Sequence, residues 1–504
     1  MPIKTDNKYA QLFDTSRISK DIKQKSVKAG LANLISQGVS LFISLVRAAI
    51  LARLLTPEDY GVFTMVVVVT HFALIFKDLG LSTATIREKE ITHSQVSNLF
   101  WINTLVGLFS MAIVMAISPV IVWFYHDNRL SRIALVLSVS FLFGGLSVQH
   151  QALLKRQMEF GKIAFLTIFS SIVSSIIGVL LAWLHYDYWA LIWMDIATNF
   201  FLMVGFWYFT GWKPGLPVKG VGTRKIIKIG FDVAGLNAFS TLTQSIDKII
   251  AGRISNASNL GLYSKGNQVP EMVSGQFRMA FFSVALPALA TLQSEQKRFE
   301  QYYYKFLYII SAVTMPLSVF CFVFADEIIQ IYFGPQWTGA AIYMRIFSLH
   351  SFLLPAITTL DQVPLALGHS RKYLVGGIAR SIGTILCVAT GAYFYGIVGV
   401  ATGVAIANLI TFIPFFLICA QDSPITFKDY FKTLSVPLLS SVVIGAVFYL
   451  FKTNFINDGV LRELVYMFAY LITLAIFMLA CDFFHIGCQI GIVDTVIKKI
   501  NSKR

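Results

Sequence analysis

Thirteen charged side chains stand inside or beside long apolar runs of this chain: Arg47, Lys77, Asp78, Asp195, Asp232, Asp247, Lys248, Lys265, Glu271, Arg278, Arg345, Asp361 and Arg380. At mid-bilayer depth such a group costs about 2.5–3.5 kcal/mol on insertion scales, so it must face protein or a watery cavity. A guanidinium held there binds phosphate or carboxylate oxygens in bidentate fashion, and a lysine acts as a compact point charge. The chemistry open to the set is recognition of an anion, with nearby carboxylates as exchangeable partners. Arg53 and Arg253 stand near the ends of their runs, where long side chains can snorkel to the interface. His150 and Asp361 are titratable and occupy related positions, which admits either proton coupling or an ordinary polar contact. Lys265 and Glu271 flank Pro270, a spacing that suits a bent helix lining a cavity.

A duplication ties these residues together. The stretch Arg47-Ala-Ala-Ile-Leu-Ala-Arg53-Leu-Leu-Thr-Pro57-Glu-Asp-Tyr60-Gly61-Val-Phe63 recurs 200 positions on, pairing Arg53 with Arg253, Gly61 with Gly261 and Phe63 with Tyr263. Lys25, Lys28 and Gly30 keep the same register with Lys225, Lys228 and Gly230. Repeats of this size point to a transporter built from two lobes. Two related pairs have opposite sign, Arg47 with Asp247 and Asp78 with Arg278. We expect Arg47 and Arg278 to form an anion site whose partners Asp247 and Asp78 exchange between inward-open and outward-open states. The alternative is that each pair is a static bridge between helices. Lys77, Lys248, Lys265, Arg345, Arg53 and Arg253 join the binding set, and Asp361, His150 and Glu271 join the gating or ion-coupling set.

The elements that carry them are membrane helices. The sequence is 56% hydrophobic and 13% charged, and its apolar runs repeatedly exceed the roughly 20 residues that cross a bilayer as helix. About fourteen spans are expected. Residues 1–27 form a basic amphipathic leader on the cytoplasmic leaflet, 28–210 a first six-helix lobe and 211–224 a Gly/Pro-rich linker. Residues 225–420 form a second six-helix lobe, and 421–504 hold a final helix pair and a basic tail. Helix 2 is expected over Tyr60 to Ile86, and helix 9 from Lys297-Arg298 to near Phe333-Gly-Pro-Gln-Trp337. An even helix number per lobe makes the repeats parallel.

The net charge of +15 does not indicate nucleic acid. Its basic residues cluster in alternate loops, at Arg87 and Lys89, Lys155 and Arg156, Lys213 to Lys228, Lys297 and Arg298, and Arg371 and Lys372. That is the cytoplasmic signature of a polytopic membrane protein, and it places both termini in the cytoplasm. No cleavable signal peptide is visible. Five cysteines show no Cys-x-x-Cys spacing, and Cys481, His485 and Cys488 lack a fourth ligand. There is no phosphate-binding Gly-x-x-x-x-Gly-Lys-Ser/Thr, no paired-histidine metal motif and no Gly-x-Ser-x-Gly elbow. No cofactor, metal or catalytic constellation is expected.

Several stretches carry a family resemblance: Ala49-Ile-Leu-Ala-Arg53-Leu-Leu-Thr-Pro-Glu-Asp-Tyr-Gly61, Asp78-Leu-Gly-Leu-Ser82, Leu99-Phe-Trp-Ile-Asn103, Leu286-Pro-Ala-Leu289 and Phe333-Gly-Pro-Gln-Trp337. Together they resemble the bacterial Wzx-type polysaccharide flippases of the multidrug/oligosaccharidyl-lipid/polysaccharide superfamily, most of all the colanic-acid-exporter branch. The resemblance implies a V-shaped all-α fold of two six-helix lobes plus a C-terminal helix pair in the bacterial inner membrane. It implies movement of undecaprenyl-pyrophosphate-linked oligosaccharide to the periplasmic leaflet by alternating access, without enzymatic chemistry. Membrane lipids are then partners, a proton or sodium ion is the candidate coupling ion, and polymerase and export machinery are candidate protein partners. Arg47 and Arg53 resemble the first-helix arginine pattern of the lipid II flippases, which assigns Arg47 to the pyrophosphate. An ion-coupled drug exporter of the same fold is the competing reading, but its cavity should be dominated by acidic groups.

Overall fold

The structure is a computed structural model and describes residues 9–13, 22–76, 80–88, 91–219, 244–455 and 460–483. All regular structure among them is helical. The long elements are α1 (Ile22–Leu54), α2 (Pro57–Phe76), α3 (Leu81–Arg87), α4 (His93–Tyr125), α5 (Arg129–Leu137), α6 (Val139–Arg156), α7 (Phe160–Trp183) and α8 (Trp189–Thr210). They continue as α9 (244–254), α10 (Ala257–Thr291), α11 (Gln296–Val323), α12 (Ala341–Thr359), α13 (Gln362–Ala366), α14 (Ser370–Ala420), α15 (Phe427–Phe455) and α16 (Val460–Phe483). Ten helical segments among the described residues are long and apolar enough to cross a membrane. The chain is a multi-pass membrane protein.

Helix starts are written locally. Thr56 and Asp59 exchange bonds at the head of α2: the Thr56 amide donates to Asp59 Oδ2 at 2.9 Å, and the Asp59 amide to Thr56 Oγ1 at 3.3 Å. Thr92 with Gln95 at α4 repeats the device, and at α15 the Asp429 amide donates to Thr426 Oγ1 while the Thr426 amide donates to Tyr304 Oη. Each satisfies amides that the first turn leaves without a helical partner. Asn256, 200 positions after Thr56, caps α10 by accepting from the Asn259 amide at 2.9 Å.

The chain divides into two compact units, Met1–Gly261 and Leu262–Arg504. In the first, α7 packs on α1 and α8, and α6 on α4 and α8. One buried cluster joins Leu51 and Leu55 to Ala182, Ala190 and Leu191; another gathers Leu99, Phe100, Leu153 and Trp212. The duplicated turns meet within this unit. A Cβ on Gly61 would lie 1.7 Å from the Ala257 carbonyl oxygen, and one on Gly261 would lie 1.8 Å from that of Pro57. The contact is reciprocal, since 57 with 257 and 61 with 261 are repeat-related, and only glycine permits backbones to approach so closely.

In the second unit α11 packs on α12 and α15, and α12 on α14. Tyr303, Leu307, Leu360, Phe415 and Tyr430 form its main core. The buried tyrosines spend their hydroxyls: Tyr430 Oη donates to the Ala356 carbonyl at 2.9 Å, and Tyr303 Oη shares a bond with Thr359 Oγ1 at 3.1 Å. Straight, the 51 residues of α14 would run about 76 Å, more than twice the roughly 30 Å of a bilayer core. They fold back at Gly396, with φ 58°, so that Gly391 abuts Gly399 and Gly403 abuts Cys387.

Two boundaries differ from those expected. Helix 2 is not continuous to Ile86, because Gly80 takes φ 68° ahead of the separate α3. Helix 9 ends at Val323; the chain then makes a short helix (Ala325–Ile328), a π turn (Ile329–Phe333) and a 3-10 turn (Pro335–Ala340) through Gly334-Pro335, where proline offers no amide.

Candidate functional site

Arg47 lies on α1 within the apolar span Ile35–Leu54. It is half-buried, and its Nη2 reaches Ser44 Oγ at 3.4 Å, one turn earlier. Arg53, in the last turn of the same helix, is exposed, as expected of a cation beside helix-terminal carbonyls. Asp247, the repeat counterpart of Arg47, is buried on α9 with Lys248 half-buried next to it. Arg253 is exposed and lies over the Phe124 ring at 5.7 Å. Lys77, Asp78 and Asp232 fall outside the described residues, as do His485 and Cys488.

On α10 the structure brings two predicted residues together. Glu271 and Arg278 are seven positions apart, two turns along one face, and are bridged at 3.3 Å. Asp361 meets Arg380 at 3.4 Å, and the Arg380 guanidinium lies 4.6 Å from the Phe415 ring centroid. Asp361 is 9% exposed, and its Oδ1 has no hydrogen-bond partner among the described residues. It therefore retains acceptor capacity for a proton or a cation. Deeper in this unit, Asn408 Nδ2 and His350 Nδ1 stand 2.9 Å apart.

Lys265 and His150 sit in well-filled surroundings, whereas Arg345 and Asp195 are partnered but less buried. Lys265 is 4% exposed and aims its ammonium at Phe333 (4.9 Å) and Trp337 (5.7 Å). Two sequence signatures, Gly261-Leu-Tyr-Ser-Lys265 and Phe333-Gly-Pro-Gln-Trp337, thus meet in one cation–π box. Arg345 is paired with Asp326. His150 is fully buried, stacked on Trp207 at 4.4 Å, with Nε2 at 3.3 Å from the Trp212 carbonyl oxygen. Asp195 accepts from Ser140 and Asn199 at 3.3 Å each.

Trp212 shows how tightly the expected linker is held. It is 1% exposed and donates its indole N–H to His93 Nδ1 at 3.1 Å. The Gly215 amide donates to Ser97 Oγ at 2.9 Å, Trp101 Nε1 to the Gly215 carbonyl at 2.8 Å, and the Val218 amide to Asn98 Oδ1 at 2.8 Å. Residues 211–219 are therefore strapped along the first turns of α4. Arg156, expected as a loop cation, is 5% exposed. It donates to the carbonyls of Thr85 (2.9 Å) and Glu88 (2.6 Å) past the end of α3, and to that of Phe13 (3.1 Å). It caps the end of α3 and that of a short helix, Ala10–Phe13, at once. Position beside Lys155 hid this role, because a positive-inside cluster accounts for any basic residue in it. At the α4–α5 corner Asp127 lies between two spans, and Arg129, at the start of the second, binds Asp127 (2.7 Å) and Glu58 (2.8 Å). Partial burial pushes the Asp127 carboxyl upward, but the hydrogen bonds and charge of Arg129 outweigh it and leave the group below the usual carboxylate range.

A family model described as "Polysaccharide biosynthesis protein" matches residues 50–342, more than half of the chain. The chain is 24% identical over 411 residues to the teichuronic acid biosynthesis protein TuaB of Bacillus subtilis (strain 168), covering 80% of this chain and 84% of that one. It is 19% identical over 428 residues to the lipopolysaccharide biosynthesis protein WzxC of Escherichia coli (strain K12), covering 84% and 86%. It is 21% identical over 418 residues to the succinoglycan biosynthesis transport protein ExoT of Rhizobium meliloti (strain 1021), covering 82% and 84%. The fold is similar to that of the lipid II flippase MurJ in an inward closed conformation, with a TM-score of 0.72 at 17% identity over 91% of this chain and 99% of that one. It is also similar to an inward-facing multidrug resistance transporter of the MATE family, with a TM-score of 0.56 at 14% identity over 80% and 96%. By the extent of the family match, the chain belongs to the polysaccharide biosynthesis protein family.

Proposed function

We propose that the protein is a flippase carrying polyprenyl-pyrophosphate-linked oligosaccharide from the cytoplasmic to the periplasmic leaflet of the bacterial inner membrane, for assembly of a surface polysaccharide. The relatives are named for the biosynthesis or transport of such polymers. The single observation that carries the reading is Arg47, a half-buried guanidinium in the middle of an apolar span of a chain from this family. A pyrophosphate headgroup needs fixed positive charge in a shielded path, and arginine offers paired donors to its oxygens.

In this reading the 200-residue duplication generates two six-helix lobes, residues 28–210 and 225–420, which open alternately to either side around a basic cavity. Two further helices bring the spans to fourteen, with both termini cytoplasmic. Arg47 and Arg278 take the phosphates, and Glu271 competes for Arg278 when substrate is absent. Asp361, with one oxygen free, is the candidate for coupling to a proton or sodium ion. The protein performs transport, not bond chemistry. The likeness to multidrug transporters is one of fold, which does not carry substrate, and basic residues equal or exceed acidic ones among the candidates.

The test is cellular. In a strain deleted for this gene, lipid-linked repeat units should accumulate on the cytoplasmic face, and wild-type protein should clear them. Arg47→Ala should fail to clear them while reaching normal membrane abundance, and Arg47→Lys should restore only a minor part. Full clearance by Arg47→Ala would overturn the assignment.

A further inference from the structure

We propose that the second unit holds a zwitterionic phospholipid of the surrounding bilayer, one acyl chain lying between α11, α12 and α15 and the headgroup on the Arg345–Asp326 pair. This does not rest on the flippase reading. The three helices enclose a groove of about 290 Å³ whose walls include Val319, Phe322, Leu349, Phe352, Val442 and Ala446. Its two serines make no polar demand on an occupant, because Ser318 Oγ donates to the Thr314 carbonyl (2.9 Å) and Ser348 Oγ to that of Met344 (2.6 Å). A Cβ on Gly445 would lie 2.2 Å from Val319 Cγ1, so glycine lets α15 close against α11 and form the floor. Leu349, Val442 and Tyr449 are each about half exposed, so the groove opens sideways, where a lipid chain can enter from the membrane.

The polar end is common to all three walls. On α12, Leu349 and Phe352 follow Arg345 by one and two turns, a descent of about 10 Å. On α15, Tyr449, Ala446 and Val442 descend from Lys452. On α11 the wall ends at Val323, whose carbonyl accepts from Lys452 Nζ at 3.0 Å, and Asp326 and Glu327 come next in the chain. Four charges therefore gather at one mouth, two cations and two carboxylates, with no net charge. Lys452 and Glu327 are bonded at 2.6 Å and are 19% and 9% exposed; Arg345 and Asp326 are 39% and 52% exposed. The outer pair is the one a headgroup can reach.

Charge balance selects the occupant. A zwitterionic head can give its phosphate to Arg345 and its ammonium to Asp326, each a charge-assisted contact. An anionic head meets both carboxylates and no net attraction, and a polyprenyl phosphate is disfavoured on the same ground. The apolar walls recognise any acyl chain by burial alone, so selectivity comes from the mouth.

The full-length protein would be purified in detergent, delipidated and offered dioleoyl phosphatidylethanolamine, dioleoyl phosphatidylglycerol or undecaprenyl phosphate. Retention would be read by native mass spectrometry and stabilisation by thermal unfolding. The ethanolamine lipid should be retained about tenfold over the other two. Ala446→Trp, an exposed small residue of the wall, should abolish that retention without changing the lipid-free melting temperature; Leu349→Trp serves the same purpose should the first variant fold poorly. Asp326→Asn should shift preference toward the glycerol lipid. Equal retention of all three lipids, preference for undecaprenyl phosphate, or retention unaffected by filling the groove would each overturn the proposal.

Discussion

Two residues show charge engaged in contacts within the fold. Lys265 is boxed by Phe333 and Trp337, and a desolvated cation–π contact contributes about 2 kcal/mol. Lys265→Ala should lower the melting temperature of the purified protein by several degrees, with Lys265→Arg in between; an unchanged melting curve would show that the box contributes nothing. Asp127 supplies the pH dependence. Its carboxyl is held below the usual range in the folded state, so its stabilising contribution is complete above the unfolded-state value and is lost as pH falls through the depressed folded-state value. Unfolding midpoints of Asp127→Asn measured from neutral to acidic pH should therefore lie below wild type at neutral pH and converge with it under acid. A constant difference across that range would contradict the assignment. Such roles are only partly legible in the sequence. The charge of Lys265 inside an apolar run marked it as special, but which ring faces it depends on residues some seventy positions away. Arg156 was hidden because a buried clamp and a loop cation look alike in a linear chain. The Glu327–Lys452 bridge spans 125 positions and leaves no local trace.

Elements were more readable than the contacts between them. Capping pairs at Thr56 and Asp59, Thr92 and Gln95, and Thr426 and Asp429 stand three apart in the sequence, so helix starts are local information. Nothing in the sequence pattern marks the end of α2 ahead of α3, where Gly80 takes φ 68°. Residues 211–219 look like a free connector by composition, yet Trp212 and Gly215 tie them to His93, Ser97 and Trp101; glycine and proline content does not reveal what a strand of loop lies against. The duplicated glycines were visible as a repeat, but their reciprocal contact was not. Gly261→Ala would place a methyl carbon 1.8 Å from the Pro57 oxygen, which backbone must move to admit. Overpacking of this kind costs about 1–3 kcal/mol or more. Gly261→Ala should reduce folded yield and melting temperature, whereas Gly377→Ala, whose added Cβ meets nothing within 4 Å, should not. Equal behaviour of the two variants in a size-exclusion and thermal-unfolding comparison would show that the crossing tolerates spreading.

At the scale of the molecule, the family and the all-helical membrane fold follow from distributed features: repeated apolar runs, a 200-residue period and scattered family-like stretches. Distributed signals survive where single residues are ambiguous, which is why the fold is readable in the sequence while the bridge from Arg278 to Glu271 is not. In the proposed function, the guanidinium of Arg47 is tolerated within the membrane because a phosphorylated lipid head must pass it. The direct measurement uses purified protein in proteoliposomes loaded on one leaflet with a polyprenyl-pyrophosphate oligosaccharide, and follows its arrival on the other leaflet with an impermeant sugar-modifying reagent. Wild-type protein should transfer the lipid, and Arg47→Ala, reconstituted at equal amount and with an unchanged melting temperature, should transfer it at the rate of protein-free vesicles. Transfer by Arg47→Ala at the wild-type rate, or no transfer by wild-type protein under an imposed proton or sodium gradient, would contradict the account.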